Sequence, residues 1–325
     1  MIDVAAQNGS MTATLVKTVS TEAPEPGVYP GVPAEEYHAW DAASNSRLGK
    51  ILRSPAHLKA YLDDPPADTA SQILGRAAHS AVLEPDKFGS DYFMIPKPEG
   101  RLFTNKDGSP SKSPANTAAY KEAVAIMEAD HPDATGLKAA YYEECLAMRE
   151  AVHAHPKVAK MIQATGRAEL SIVWVDEKTG VTCKARLDWH TPTHAGGAIV
   201  DLKTTPDASP WAFAGSANKW GYYRQGATYL RGAEAVGLPA VHFAIIAVEK
   251  RPDAYKGGFY NGVILYRLRE DDVILGGTQL DFALAMYAEC ERTGIYPGYT
   301  TEVVDLVLPG HAGRDIERNM EEATL

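Results

Sequence analysis

Ile199-Val200-Asp201-Leu202-Lys203-Thr204-Thr205 closes an apolar, β-branched run with a carboxylate and an ammonium two residues apart. In a strand, positions i and i+2 project from the same face. Asp201 and Lys203 therefore meet at one surface, where a carboxylate can hold a divalent cation and a lysine can orient a water or neutralise an oxyanion. Alone the triplet is weak, because most copies of Asp-x-Lys are solvated surface pairs.

The segment from Val181 to Trp189 strengthens it. Val181, Cys183, Ala185, Leu187 and Trp189 alternate with Thr182, Lys184, Arg186 and Asp188, the pattern of a half-buried strand. Its polar face joins Asp188 to two cations, which suits a metal ligand lying beside an anionic substrate. Just upstream, Leu170, Ile172 and Trp174 alternate with Ser171 and Val173 as far as the turn Asp176-Glu177-Lys178-Thr179-Gly180, so the two runs form a hairpin that starts at Glu169. Asp188 and Asp201, from neighbouring strands, make a metal site.

Helical patterns precede the hairpin. One runs from Ser46 to about Leu62, opened by a capping-type serine and closed by Asp63-Asp64-Pro65-Pro66; the next runs from Ala70 to about Leu83, closed by Glu84-Pro85. Others cover about Thr117 to Ala129 and about Leu137 to Ala164, the last with a kink or boundary at His155-Pro156. After Asp201 come a long helix from about Ala208 to Val236, a buried strand Val241 to Val248, a strand near Phe259 to Arg267 and a helix from about Asp271 to Thr293. This order describes an α/β fold, a central mixed sheet flanked by helices, with a helical segment ahead of it. Residues 1–30 read as a mobile leader and residues 31–325 as one domain, helical to about 165 with its catalytic core at about 166–310. Within it, residues 96–115 read as a long exposed loop whose Lys97, Arg101, Lys106 and Lys112 are either DNA contacts or part of a solvated connector.

Composition narrows the classes. At 325 residues and 45% hydrophobic, the chain can bury a sizeable core. No apolar run approaches the ~20 residues of a membrane span, and the N-terminus lacks the basic start and apolar centre of a signal peptide, so a cytoplasmic location is the default. Three scattered cysteines, Cys145, Cys183 and Cys290, indicate neither a disulfide framework nor a cysteine-based metal cluster. No Walker-type or dinucleotide-binding glycine motif is present, which argues against an ATP-driven motor. The net charge of −10 speaks against broad electrostatic attraction to DNA. A local basic groove can still coexist with an acidic exterior, and an oligomer that encircles its substrate avoids the problem.

Two further features have open readings. Tyr222, Gln225 and Tyr229 share a helical face, as donors and ring surfaces for a nucleic-acid strand or as a tyrosine stripe packed on the sheet. His79 lies on a helix of small residues, Gly75-Arg76-Ala77-Ala78-His79-Ser80-Ala81, as a core imidazole or as the neutral ligand completing a carboxylate metal site.

His79, Asp188, Asp201 with Lys203, and Gln225 with Tyr229, in this order, resemble the RecE-type exonuclease family (exonuclease VIII) in the RecB-like branch of the PD-(D/E)xK nucleases. Tyr37-His38, Ser54-Pro55-Ala56-His57, Leu83-Glu84-Pro85, Glu169-Leu170-Ser171, Val248-Glu249-Lys250 and Tyr296-Pro297 extend the resemblance over roughly residues 35–310. It implies an exonuclease that degrades linear double-stranded DNA from the 5′ end, leaves a 3′ strand for a single-strand annealing recombinase, and works as a tetrameric ring. It also implies that Asp188, Asp201, His79 and the Leu202 carbonyl hold Mg²⁺, with Mn²⁺ able to substitute, while Lys203 positions the attacking water. Glu169 would assist catalysis as a carboxylate behind the metal ligands or at a second metal, or serve as a surface salt bridge. Gln225, Tyr229, Tyr222, Arg186 and Lys184 would contact the substrate. Two rivals stand beside this reading: an endonuclease of the same superfamily, and a noncatalytic DNA-binding module.

Overall fold

The computed structural model describes residues 21–98, 100, 104–192, 196–250 and 261–308. Strands β1 (Thr21–Glu22) and β2 (Gly27–Tyr29) come first, then helix α1 (Ala34–Ala39) and strand β3 (Trp40–Asp41), which pairs with β1. The expected leader is therefore structured from residue 21 onward, and β2 joins the main sheet; residues 1–20 lie outside the described residues.

The helix expected over residues 46–62 is two helices. Ser44 caps α2 (Asn45–Ile51) and Ser54 caps α3 (Pro55–Asp63), their hydroxyls accepting from Arg47 N at 3.4 Å and His57 N at 3.3 Å. Pro55 cannot extend α2, yet at the first position of α3 its missing N–H is harmless. Helix α4 (Ala70–Leu83) has the expected bounds, because the capping box of Thr69 and Gln72 opens it and Pro85 follows it. The pattern did not announce α5 (Pro85–Asp91) or β4 (Tyr92–Ile95). After α6 (Ala118–Asp130), β5 (Thr135–Lys138) pairs in parallel with β4, so the helix expected from residue 137 begins later, as α7 (Ala139–Ala154). Pro156 then starts α8 (Pro156–Gln163).

The main sheet follows with β6 (Arg167–Val175), β7 (Thr182–Thr191) and β8 (Ala198–Thr205). Then come α9 (Pro210–Trp220), α10 (Tyr222–Ala235), β9 (His242–Glu249), β10 (Val263–Arg267) and α11 (Glu270–Thr293). Its six strands are ordered β10-β9-β8-β7-β6-β2; β8 and β9 run parallel and the other pairs antiparallel, giving the mixed sheet the sequence implies. The single helix expected over residues 208–236 breaks at Gly221. That residue is left-handed (φ 69°), and a Cβ on it would stand 2.8 Å from the Arg224 guanidinium.

Helices cover both faces. Leu48, Ile51, Leu58, Phe213, Ala233, Leu280 and Leu284 of α2, α3, α9, α10 and α11 pack with Ile199, Phe243 and Ile245 on one side. Leu74, Ala77, Ala78, Ala81, Met148, Val152 and Val158 of α4, α7 and α8 pack with Val200, Leu202 and Ile246 on the other. Alternate residues of β8 and β9 thus bury opposite faces, which explains their near-continuous apolar sequences. Among the described residues, no helix is long and apolar enough to cross a membrane.

Candidate metal centre

Strands β7 and β8 pair from Trp189↔Val200 to Thr191↔Ala198. One step further along that register, Asp188 and Asp201 stand opposite each other where the ladder has stopped. On the other side of β7, Glu169 stands opposite Asp188, skipped by the ladder between Ala168↔Trp189 and Leu170↔Leu187. Three carboxylates therefore lie at one level across three adjacent strands.

Glu169 interrupts the ladder because its backbone is left-handed (φ 50°). For a residue with a Cβ this conformation costs about 1–3 kcal/mol. It also exchanges the faces of the hairpin: Ala168 and Trp189 pack on the α4 side, whereas Leu170 and Leu187, two residues away, pack on the α10 side. The hairpin begins at Arg167, ahead of the expected start, and Glu169 lies inside it.

From α4, His79 brings its Nδ1 to 3.4 Å from Asp188 Oδ2, which also accepts the Leu202 backbone N–H at 2.8 Å. That N–H points into the gap between β7 and β8, and the carbonyl of the same residue leaves the strand on the same side. His79, Glu169 and Asp188 each offer a ligand atom, all within 4.8 Å of one another. On the α10 side, Asp201 is 1% exposed; its Oδ1 accepts from Gln225 Nε2 at 2.7 Å, and its Oδ2 lies 2.5 Å from Lys203 Nζ. Both carboxylate oxygens of Asp201 are thus engaged, Oδ1 by an amide and Oδ2 by an ammonium. Lys203 Nζ in turn lies 5.1 Å from the centre of the Tyr222 ring.

These contacts perturb the titrations. Burial pushes the Asp188 carboxyl up to about 7; His79 and Lys203 pull it down, while Asp201 and Glu169 push it further up. For Lys203 burial works against the charge, but the carboxylates of Asp201 and Asp188 outweigh it and hold the ammonium above the usual lysine range. Burial raises the Tyr222 and Tyr229 hydroxyls, Tyr229 the more strongly, and the Asp201 charge adds to both.

Of the two open readings of the tyrosine stripe, the packed one describes where it lies. Tyr222 and Tyr229 pack against the core on the α10 side, and Gln225 and Tyr222 hold Asp201 and Lys203 from that position. Lys184 corrects an expectation. It is 3% exposed, and its ammonium donates to the carbonyls of Tyr37 (2.7 Å), Trp40 (2.6 Å) and His38 (3.3 Å), closing the end of α1 rather than facing a phosphate. Arg186 is likewise engaged, with Glu169 Oε2 (2.5 Å), the Val32 carbonyl (2.8 Å) and Ser171 Oγ (3.3 Å). The alternation that gives β7 a polar face is real, but α1 and β3 cover it at Lys184, where the expected partner is an anionic substrate. In the 96–115 loop, Lys97 pairs with Glu143 of α7 at 2.7 Å and Arg101 lies outside the described residues. The pairing of Gln225 with Asp201, and the kink at Glu169, had no local signal in the sequence.

A family model described as a PDDEXK-like domain of unknown function (DUF3799) matches residues 44–300. The chain belongs to this family. Its mixed sheet with flanking helices is the fold of the PD-(D/E)xK superfamily, whose nucleases generally use divalent metals. Among solved structures, a candidate exonuclease from Eubacterium rectale is similar over 86% of this chain and 97% of that one, with a TM-score of 0.50 and 13% identity. At that identity the likeness is one of fold. The structure of SSO0001 matches 50% of this chain and 69% of its own, at 10% identity and a TM-score of 0.26. No curated relative matches the sequence.

Proposed function

We propose that this DUF3799 protein is a divalent-metal-dependent deoxyribonuclease of RecE type, which degrades linear double-stranded DNA from the 5′ end and leaves 3′ single strands for an annealing recombinase. The observation that carries the nuclease reading is the placement of His79, Asp188, Asp201 and Lys203 around the point where β7 and β8 part. Family membership supports it.

The residues fit a divalent cation. His79, Glu169 and Asp188 bring ligand atoms within 4.8 Å of one another, and Asp188 is a buried carboxyl whose charge lacks full compensation. His79, Asp188, Asp201 and the Leu202 carbonyl would hold the ion. Hard oxygen donors with a single imidazole suit Mg²⁺, with Mn²⁺ as a substitute, better than tightly held zinc. Such an ion supplies Lewis acidity at the scissile phosphate and a lowered water pKa.

The chain's own groups do the rest. Lys203, kept charged by Asp201 and Asp188, orients a water or donates to a phosphate oxygen as negative charge develops. Gln225 fixes the Asp201 rotamer through its 2.7 Å hydrogen bond, and the Tyr222 ring braces the lysine. With a net charge of −10, retention on DNA favours a closed ring of subunits, as the RecE-type reading holds, over adhesion to an open surface.

The test is digestion of a linear duplex labelled separately at each 5′ and 3′ end, beside a closed circle, for wild type and Asp201→Asn. Early release of the 5′ label, with the circle intact and the variant inactive, supports the proposal. Cutting of the circle indicates an endonuclease, and absence of any digestion indicates a binding module.

A further inference from the structure

We propose that the outward face of α9 is a landing site for single-stranded DNA, on which Trp211 stacks a base while Lys219 and Trp220 hold the strand further along; this rests on the nuclease reading above and adds a strand contact outside the metal centre. Trp211 is 90% exposed and Trp220 60%, although burying a tryptophan removes about 150–250 Å² from water. Trp211, Ala214, Gly215, Asn218 and Lys219 are all exposed and have the spacing of one helical face. A Cβ on Gly215 would meet no atom within 4 Å, so packing within the chain does not account for a residue that weakens a helix.

Charge and position favour a nucleic-acid strand as the occupant. No Asp or Glu lies between Asp207 and Glu234, in a chain with 42 acidic residues. Among the described residues Lys219 makes no ion pair, and its Nζ lies 5.0 Å from the centre of the Trp220 ring, so an ammonium and an aromatic face are presented together. That pairing is what holds a single strand without regard to sequence. The inner face of α9 is tied to the metal centre. Buried Phe213 stacks on Tyr266 with ring centres 4.9 Å apart and lies 5.9 Å from Tyr222, whose ring braces Lys203. The Tyr266 hydroxyl donates to the Ala208 carbonyl at 2.6 Å and pins the approach to the helix. Trp211 follows Lys203 by eight residues. That is at most about 28 Å of chain, or roughly eight nucleotides at ~3.4 Å each. A duplex keeps its base faces stacked on one another, whereas a strand freed by digestion offers them to the rings.

The decisive experiment is fluorescence anisotropy with a labelled oligothymidylate of about 20 nucleotides, in a chelator so that hydrolysis does not intervene. The full chain is compared as wild type, Trp211→Ala, Trp211→Phe, Trp220→Ala and Lys219→Gln. The Kd is expected to rise at least ~5-fold in each alanine variant, the loss of one base–aromatic stack, and Trp211→Phe, which keeps a ring, should lie between wild type and Trp211→Ala. Lys219→Gln should make the dependence of log affinity on log salt shallower by about 0.7, the share of one phosphate on a single strand. The oligonucleotide should quench the tryptophan emission of wild type more than that of Trp211→Ala, because Trp40 and Trp174 are buried. Melting temperatures should stay near wild type, since the Trp211 side chain is exposed. No oligonucleotide binding by wild type, or affinities within two-fold of wild type in both alanine variants, overturns the proposal. A changed oligomeric state in Trp211→Ala with unchanged oligonucleotide affinity also overturns it, by making α9 a contact between copies. A protein that digests no DNA yet binds the strand through Trp211 overturns the nuclease reading instead, and an active one with Trp211-independent affinity overturns only this inference.

Discussion

Replacing Asp188 by asparagine should stabilise the metal-free protein at alkaline pH. The carboxyl is raised from its ordinary value of 3.8 to about 7, chiefly by burial. Because the folded-state pKa is the higher one, the folded chain binds this proton more tightly than the unfolded chain. The favourable contribution is complete below the unfolded pKa, fades as pH rises, and is gone above about 7. At 1.36 kcal/mol per decade the interval amounts to roughly 4 kcal/mol at pH 8 and under half of that at pH 5. The side chain retains 13% exposure and faces the His79 imidazole at 3.4 Å, so roughly 4 kcal/mol is an upper bound. Asparagine keeps the shape and the acceptor for the Leu202 N–H but carries no charge. Urea unfolding in a chelator at pH 5 and pH 8 should therefore show Asp188→Asn gaining on wild type as pH rises, by more than about 1 kcal/mol. Added Mn²⁺ should restore the advantage of wild type, since the cation takes the place of the proton. Equal destabilisation of the variant at both pH values would show that Asp188 is an ordinary, well-compensated buried carboxylate.

Asp201→Ala and Asp201→Asn both remove the charge that compensates the buried Lys203 ammonium, and both should lose hydrolysis. The alanine should lower stability by about 3–5 kcal/mol and the asparagine by less, because its amide oxygen keeps an acceptor for one of the two donors, Lys203 or Gln225, as melting temperatures of the two variants check. Lys203→Ala should lower kcat by ~10²-fold or more, with Mn²⁺ affinity in calorimetry little changed. Gln225→Ala removes the 2.7 Å hydrogen bond that orients Asp201; kcat should fall about 10-fold with KM for DNA unchanged, and Gln225→Asn should not rescue it because the shorter amide cannot reach. Lys184→Met should leave three carbonyls without their donor and lower stability by about 1–3 kcal/mol, while the salt dependence of DNA binding keeps its slope. A shallower slope would restore the phosphate-contact role that its burial removes.

What was legible in the sequence was what local chemistry determines. The bounds of α4 follow from Thr69, Gln72 and Pro85, and the apolar runs of β8 and β9 follow from burial on both faces. The divisions at Pro55 and Gly221 were missed because apolar spacing runs across them, although Ser54-Pro55 is a capping signal in its own right. The two cations on β7 were misread for a different reason. Alternation reports which residues point away from one core, and Lys184 and Arg186 do so; it says nothing of α1 and β3, which arrive from far away in sequence to cover them.

The same limit applies at the centre of the site. Period-two alternation continues through Leu187, Asp188 and Trp189, yet the residues on either side of Asp188 bury opposite faces of the sheet, because β6 kinks at Glu169. Where the ladder between β7 and β8 stops, the Leu202 N–H loses its strand partner, and Asp188 accepts it. A buried amide without that acceptor would cost about 1–3 kcal/mol. The carboxylate proposed to hold a cation therefore also closes the frayed edge of β8, and asparagine can take over the second task but not the first. Activity and folding should separate at this residue, with Asp188→Asn folded and inactive and Asp188→Ala inactive and less stable, because only the alanine leaves the Leu202 N–H without an acceptor.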